Sequence, residues 1–155
     1  MPARLTRRQK REYERDIAHK TRAVVERKHV RAPIVAPADF AGAAVTAGDL
    51  RTLAQKSALQ ALTAPEIEVQ QSVGVFKNGE RWVLMANPQV LSASPKMVAG
   101  FEASLKFPQG VKRWRSLAVR VAYYDLELKA DVIAELKQAE GRAFQQACAA
   151  VNGFY

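Results

Sequence analysis

The sequence predicts an α+β fold, in which antiparallel strands lie between two helices and a long basic helix precedes them. Three features carry this prediction. Residues 4–28 contain no Gly or Pro, the middle of the chain holds several short β-rich segments, and the C-terminal stretch has helical periodicity. The chain has 155 residues, 48% of them hydrophobic, which suits one compact domain with an extension. It contains no apolar run of about 18 residues, so we expect no membrane span.

The elements of the domain follow from apolar spacing and turn residues. Leucines recur at helical spacing over 49–62, so we expect a helix that Asp49 caps and Pro65 ends. Asn78-Gly79 is a hairpin signal between two β-rich segments. The last β-rich segment either extends or pairs with the one before it. In chain order, the predicted strands and the closing helix are 67–76, 81–86, 89–93, 117–125, 127–136 and 137–151.

A linker is predicted ahead of this domain. Residues 32–48 contain two prolines, two glycines and almost no charge. This composition is typical of irregular chain and predicts an extended strap across a surface. Ile34, Val35 and Phe40 are its expected apolar anchors. The predicted organisation is therefore an arm over 1–31, a linker over 32–48 and a domain over 49–155.

Positive charge is concentrated in the arm. The chain has 24 Lys and Arg residues against 15 Asp and Glu, which gives a net charge of +9. Residues 1–31 hold 11 basic and 4 acidic residues and carry +7 of this charge, whereas the other 124 residues carry +2. The sequence therefore describes a nearly neutral domain with a basic arm.

The arm is predicted to be a long basic helix over 4–28 with a narrow apolar face. A polyanion stabilises such a helix best, so we expect it to contact RNA. Other interpretations stay open: a dock for a protein partner, a cleaved mitochondrial presequence, a helix on an anionic membrane, and a disordered solvated tail. The candidate RNA contacts of the arm are Arg4, Arg7, Arg8, Lys10, Arg11, Arg15, Lys20, Arg22, Arg27, Lys28 and Arg31.

A second basic cluster follows Pro108. Lys112, Arg113 and Arg115 surround Trp114 in the sequence. The cluster is either a solvated loop with Trp114 packed inward, or a second phosphate contact in which Trp114 stacks or an arginine inserts. We include its three cations among the candidate RNA contacts.

Four segments resemble the peptide deformylase family. The closing helix contains Phe144-Gln145 and ends in Asn152-Gly153, which matches the frame of the family's last helix, R-x-F-Q-H-E-x-x-H-L-N-G. The other matches are 84–90 with its Asn-Pro pair, 100–108, which is similar to the loop E-G-C-L-S-x-P, and more weakly 67–74. The resemblance covers residues 49–155 and implies antiparallel sheets around a C-terminal helix.

The resemblance also implies a metal hydrolase, whose key positions are changed in this chain. In the family, two histidines and a cysteine hold a divalent metal and a glutamate is the general base. Those positions hold Gln146, Ala150, Ser104 and Ala147, none of which can take the role. The oxyanion-stabilising glutamine falls at Ser72, next to two glutamines. We therefore expect no metal, no cofactor, no catalytic residue and no small-molecule substrate.

Histidine and cysteine are scarce. The two histidines, His19 and His29, both fall in the arm, so we expect no histidine-based site in the domain. Cys148 is the single cysteine, which excludes an internal disulfide. We expect it to be a small buried hydrophobic residue and not a nucleophile.

These features favour an inactive deformylase-like domain in a structural protein. The resemblance associates it with ribosomes, so we expect a subunit of a large ribonucleoprotein, the mitochondrial ribosome or its assembly intermediate. Its partners would be ribosomal RNA and neighbouring ribosomal proteins in the matrix. One alternative is a protein-binding adaptor that uses the vestigial cleft in a non-RNA complex, such as a respiratory assembly. Another is an enzyme with rebuilt chemistry, which the lack of a domain histidine disfavours.

Overall fold

The computed structural model describes residues 6–13 and 29–155. Residues 7–13 are helical, and Thr6 opens this segment with a capping box, in which Gln9 N donates to Thr6 Oγ1 and Thr6 N donates to Gln9 Oε1. The rest of the basic helix predicted over 4–28 lies outside the described residues. No helix in the described part of the chain is long and apolar enough to cross a membrane.

The domain is α+β, as predicted, with two antiparallel sheets and a C-terminal helix. The larger sheet has five strands in the order β1-β2-β3-β6-β7, and β4 and β5 form a separate hairpin. In chain order, the elements are a 3-10 helix Pro37–Asp39, α1 Phe40–Lys56, β1 Ala61–Thr63, a 3-10 helix Ala64–Ile67, β2 Val73–Asn78, β3 Arg81–Ala93, β4 Met97–Glu102, β5 Val111–Ser116, β6 Ala118–Asp125, β7 Ala130–Lys137 and α2 Gln138–Val151.

Helices cover both faces of the five-stranded sheet over its central strands, whereas one face of the edge strand β7 is exposed. Helix α1 packs on one face through Ala43, Ala47 and Leu50, and α2 packs on the other through Phe144 and Ala147. Strand residues alternate between the two clusters, because successive side chains of a strand point to opposite faces. The two helices are therefore held at fixed positions by the same sheet.

The predicted extended linker is wrong over most of its length. Residues 40–48 belong to α1, so Asp49 lies inside this helix and does not cap it. The glycines that suggested irregular chain, Gly42 and Gly48, lie within the helix, where nothing approaches within 4 Å of an added Cβ. Burial of alanines against the sheet favours the helix over the local preference of glycine.

The strands also depart from the predictions. The strand expected over 67–76 begins only at Val73, and the two strands expected over 81–93 are one strand with a bulge at Asn87. The hairpin formed by β4 and β5 was not predicted, and the basic cluster lies in β5 and not in a loop. The predictions for β6, β7 and the closing helix are confirmed within three residues at each end.

Residues 29–35, which we call the strap, cross the domain in extended form. His29 N donates to Gly153 O, and Ala32 N donates to Val151 O, so the strap runs along the end of α2. Val35 N donates to Asn87 Oδ1, while Asn87 Nδ2 donates to Val35 O at the bulge of β3. Of the anchors expected from the sequence, Val35 is buried and Phe40 stacks on Tyr124, but Ile34 is exposed.

The turn after α2 gives a test of this docking. Gly153 has φ +98, and a Cβ there would meet the carbonyl of His29. We expect Gly153→Ala to destabilise the domain by about 2–4 kcal/mol, because it adds both backbone strain and a clash. The control is Gly48→Ala, which should stabilise α1 by about 0.5–1 kcal/mol. Urea unfolding measures both changes, and equal stability of the two variants would contradict the strap contact.

A cleft beside the C-terminal helix

A cleft of about 410 Å³ lies between α2, the β4–β5 hairpin and the strap. Its apolar wall comes from the segment after β4 and from the C-terminal residues. Its polar wall comes from the β4–β5 hairpin, from α2 and from the 3-10 helix Ala64–Ile67. The lining residues are His29, Glu66, Glu102, Ser104, Leu105, Lys106, Phe107, Val111, Arg113, Arg115, Gln146, Ala150, Phe154 and Tyr155.

Three of the four positions singled out in the sequence meet in this cleft. Gln146 and Ala150 lie one turn apart on α2, and Ser104 faces them from the segment after β4. Gln146 Nε2 donates to Ala103 O at 2.9 Å, which joins the helix directly to that segment. Ala147, the fourth position, is fully buried in the cluster between α2 and the sheet. Ser72, the expected oxyanion position, lies elsewhere and donates to Ala32 O of the strap.

A buried carboxylate joins the hairpin to α2 beneath the cleft. Glu102, at the end of β4, accepts two hydrogen bonds from Arg115, at 2.8 and 2.9 Å, and one from Arg142 of α2 at 3.1 Å. Arg142 also donates to Arg113 O and Val98 O across the hairpin. Gly100 leaves room for this guanidinium, since a Cβ there would lie 2.9 Å from Arg142 Cζ.

Titratable groups gather at the opposite end of the cleft. Burial raises the pKa of Glu66 to about 7, although its hydrogen bonds from the Thr63 hydroxyl and amide lower it. Burial also raises the pKa of Tyr155, and the negative charges of Glu66 and Glu68 add to this effect. The ring of Tyr155 stacks on His29, with ring centroids 4.0 Å apart.

His29 is the residue that sequence reasoning missed. We assigned it to the arm and expected no histidine in the domain, but the strap brings its ring to the wall of the cleft. The sequence carried one usable signal: Gly153, whose left-handed turn accepts the strap, follows the closing helix directly. The prediction that no histidine belongs to the domain is therefore wrong, because His29 lines the cleft.

Cys148 lies in a second groove, of about 460 Å³, on the other side of α2 from the cleft. Cys148 is 6% exposed, and burial raises the pKa of its thiol, while the nearby charges of Arg31 and Arg115 lower it. A buried thiol of raised pKa is a poor nucleophile, as expected from the sequence.

The candidate RNA contacts are placed only in part. Arg7, Arg8, Lys10 and Arg11 are exposed on the helical segment 7–13. In the domain, Arg31 and Arg115 line the groove beside Cys148, Arg113 and Arg115 line the cleft, and Lys112 pairs with Phe101 in the hairpin. The candidates outside the described residues are Arg4, Arg15, Lys20, Arg22, Arg27 and Lys28.

The family model described as polypeptide deformylase matches residues 39–155. The chain belongs to the polypeptide deformylase family. This match starts before residue 49, so it includes the whole of α1, part of which we had predicted as linker. No curated protein matches the chain.

Solved deformylases share this fold. The peptide deformylase from Thermus thermophilus is 27% identical, with a TM-score of 0.72 over 82% of this chain and 75% of that chain. The peptide deformylase from Thermotoga maritima is 26% identical, with a TM-score of 0.73 over 81% of this chain and 84% of that chain. The Met-Ala-Ser-bound class I type b enzyme from Acinetobacter baumannii is 20% identical, with a TM-score of 0.75 over 82% and 88% of the two chains.

The donor set of this deformylase-family cleft does not fit a divalent metal. A methyl group stands at Ala150, the Gln146 amide is bound to a carbonyl, and the Ser104 hydroxyl accepts from Phe107 N. Within residues 6–13 and 29–155, no group of three or more His, Cys, Asp or Glu side chains could hold a metal ion. Thiolate, imidazole and carboxylate are the ligands that such an ion takes from proteins.

The raised pKa of Glu66 predicts a pH-dependent stability. The folded state favours the protonated acid, so the stability from this group is full below pH 4.5 and is lost as pH rises through about 7. Glu66→Gln keeps the acceptor for Thr63 but cannot ionise. Between pH 4.5 and pH 8, we expect the free energy of unfolding to fall by about 1–3 kcal/mol more in the wild type than in this variant. Urea unfolding at both pH values measures this, with the exposed Glu80→Gln as control; parallel curves for wild type and Glu66→Gln would refute it.

Proposed function

We propose that the chain is a structural, RNA-binding subunit of a large ribonucleoprotein, built on a deformylase-family domain that does not hydrolyse formyl groups. The assembly we propose is the mitochondrial ribosome, with ribosomal RNA and neighbouring ribosomal proteins as partners in the matrix. The observation that carries the loss of hydrolysis is the cleft in which Gln146, Ala150 and Ser104 stand together without a metal-ligand set among the described residues.

The chemistry of those side chains supports this proposal. Metal-assisted hydrolysis needs a bound metal to activate water and a base to accept its proton. The side chain of Ala147 has no atom that can accept a proton and is packed in the core. The side chain of Ala150 has no atom that can bind a metal. The hydrogen bond from Gln146 to Ala103 O joins the same two elements that a shared metal would join. We infer that the domain keeps its shape by this contact and by the Glu102 ion pairs.

The distribution of charge supports the RNA-binding part. The arm carries +7 of the net +9, and the four cations of its described segment 6–13, Arg7, Arg8, Lys10 and Arg11, are all exposed. Cations that neutralise phosphates release counterions, and this release favours binding to any RNA backbone. Arg31 continues the basic arm to the groove beside α2. The domain would thus fix the position of the arm, and the arm would supply most of the affinity.

Metal content and hydrolysis test the loss of catalysis. We expect the purified protein to hold well under about 0.1 equivalents of transition metal and to leave N-formyl-Met-Ala-Ser intact, because neither ligands nor base are present. Elemental analysis measures the metal content, and release of a free amine measures hydrolysis of the formyl peptide. The matched variant Ser104→Cys/Gln146→His/Ala150→His restores three ligands and should bind about one equivalent of cobalt, with thiolate charge-transfer absorption. Stoichiometric metal and deformylation by the wild type would overturn the proposal.

The salt dependence of RNA binding tests the role of the arm. In the full chain, replacing Arg7, Arg8, Lys10 and Arg11 by Gln should lower the slope of log affinity against log salt by about 3 for single-stranded RNA. A matched control replaces four lysines of the domain, Lys56, Lys77, Lys129 and Lys137, and removes the same charge. Filter binding from about 50 to 200 mM salt measures the slopes. Equal slopes for the two variants would contradict a specific role for the arm.

A second candidate function uses the cleft. Its volume and its apolar wall suit an extended peptide, and the deformylase from Acinetobacter baumannii of the same fold has Met-Ala-Ser bound. The chain would then be an adaptor that holds the tail of a neighbouring protein in a non-RNA complex, such as a respiratory assembly. The RNA measurement separates the two functions, because a cleft-based adaptor has no need for RNA and shows no specific loss when the arm is neutralised.

A further inference from the structure

We propose that the outer face of the β4–β5 hairpin is a stacking platform for unpaired bases of single-stranded RNA. The platform consists of Phe101, Lys112 and Trp114. The inference rests on the proposed RNA-binding function and deepens it, because it assigns base contact to the domain where the arm would supply only phosphate contact. It concerns a surface apart from the cleft.

The register of the hairpin places the two rings on one face. Phe101 pairs with Lys112, and Ala99 pairs with Trp114. Directly paired residues share a face, so the two rings are diagonal neighbours. Lys112 lies on the same face, opposite Phe101 and two residues before Trp114 on β5. This spacing lets both rings reach one short stretch of a ligand.

The opposite face of the hairpin is already occupied. Gly100 and Glu102 face α2, because Arg142 lies against the first and is bonded to the second. Arg113 and Arg115 pair with Gly100 and Val98 on this inner face, where they line the cleft. Phe101 lies between two inner residues of β4 and therefore points away from the domain.

Phe101 is the most exposed aromatic ring of the described residues, at 75% of its surface. Neither of the two hydrophobic clusters includes Phe101 or Trp114. Trp114 is half-buried, with its Nε1 on the buried side, so the exposed ring of the platform is that of Phe101. A large exposed ring on a regular strand contributes nothing to the core, so we infer that its surface is used for binding.

Charge favours RNA over an apolar protein partner. The outer face of the hairpin carries the cation Lys112 and no acidic residue, because the hairpin's one acidic residue, Glu102, lies on the inner face and is bound to two arginines. Aromatic rings on a sheet that carries cations form the usual surface for unstacked bases, because every base has a π-face that can stack. The platform would therefore bind RNA with little preference for sequence.

Substitutions of Phe101 in the full chain test stacking directly. The probes are a fluorescein-labelled poly(U) of about 12 nucleotides and an RNA duplex of about 12 base pairs, lengths within the reach of a single binding domain. We expect Phe101→Ala and Phe101→Leu to weaken poly(U) binding about tenfold, with an unchanged salt slope, because a ring and no charge is lost. Phe101→Tyr should stay within about twofold of wild type, and duplex binding should not change. Ile133→Ala, which removes a similarly exposed apolar side chain on β7, is the control.

The outcomes separate the platform from the arm. Poly(U) binding that Phe101→Ala leaves unchanged, or that Phe101→Leu retains, would overturn the platform and favour an apolar protein contact. The proposed function would survive that result if neutralising the arm still lowered the salt slope. If the wild type binds neither RNA, the proposed function fails and the platform fails with it. An unchanged urea-unfolding midpoint of Phe101→Ala and Phe101→Leu shows that their losses of binding do not come from misfolding.

Discussion

The arrangement of the domain depends on the ion pairs of Glu102. This carboxylate is 5% exposed and is held by Arg115 of its own hairpin and by Arg142 of α2. A buried carboxylate that lost its partners would cost about 3–5 kcal/mol, so the two arginines and the carboxylate must stay together. Because the hairpin is not part of the five-stranded sheet, this network holds it against α2 together with two side-chain amides, that of Gln146 and that of Gln145, which bonds to the backbone of Ser116. The depth of the cleft on one face and the direction of Phe101 on the other both follow.

The fold could be predicted where the local signals in the sequence agreed with one another. The closing helix was predicted within one residue, because its apolar side, its length and the Asn152-Gly153 stop agree. The predicted start of helix α1 lies nine residues after the observed one, because Gly42 and Gly48 are local signs of irregular chain. The sheet under Ala43 and Ala47 stabilises the helix there, and that contact is tertiary.

The candidate site could be predicted in its composition but not in its surroundings. Ser104, Gln146 and Ala150, which the resemblance singled out, line one cleft. For the contribution of His29 the sequence offered only the indirect signal of Gly153, because the strap reaches the cleft through backbone hydrogen bonds to residues more than a hundred positions away. The raised pKa of Glu66 is likewise a result of burial, which its local sequence does not indicate.

The strap has a consequence for synthesis on the ribosome. Residues 29–32 bond to residues 151–153, so about 120 residues separate the two sides of this contact. During translation the strap leaves the exit tunnel early, yet its docking surface exists only after the last helix has emerged. Contacts this far apart in sequence form late, because a long loop must close first. Residues 29–32 are therefore free of the domain until its last helix is complete, and only then does the strap take its place along the end of α2.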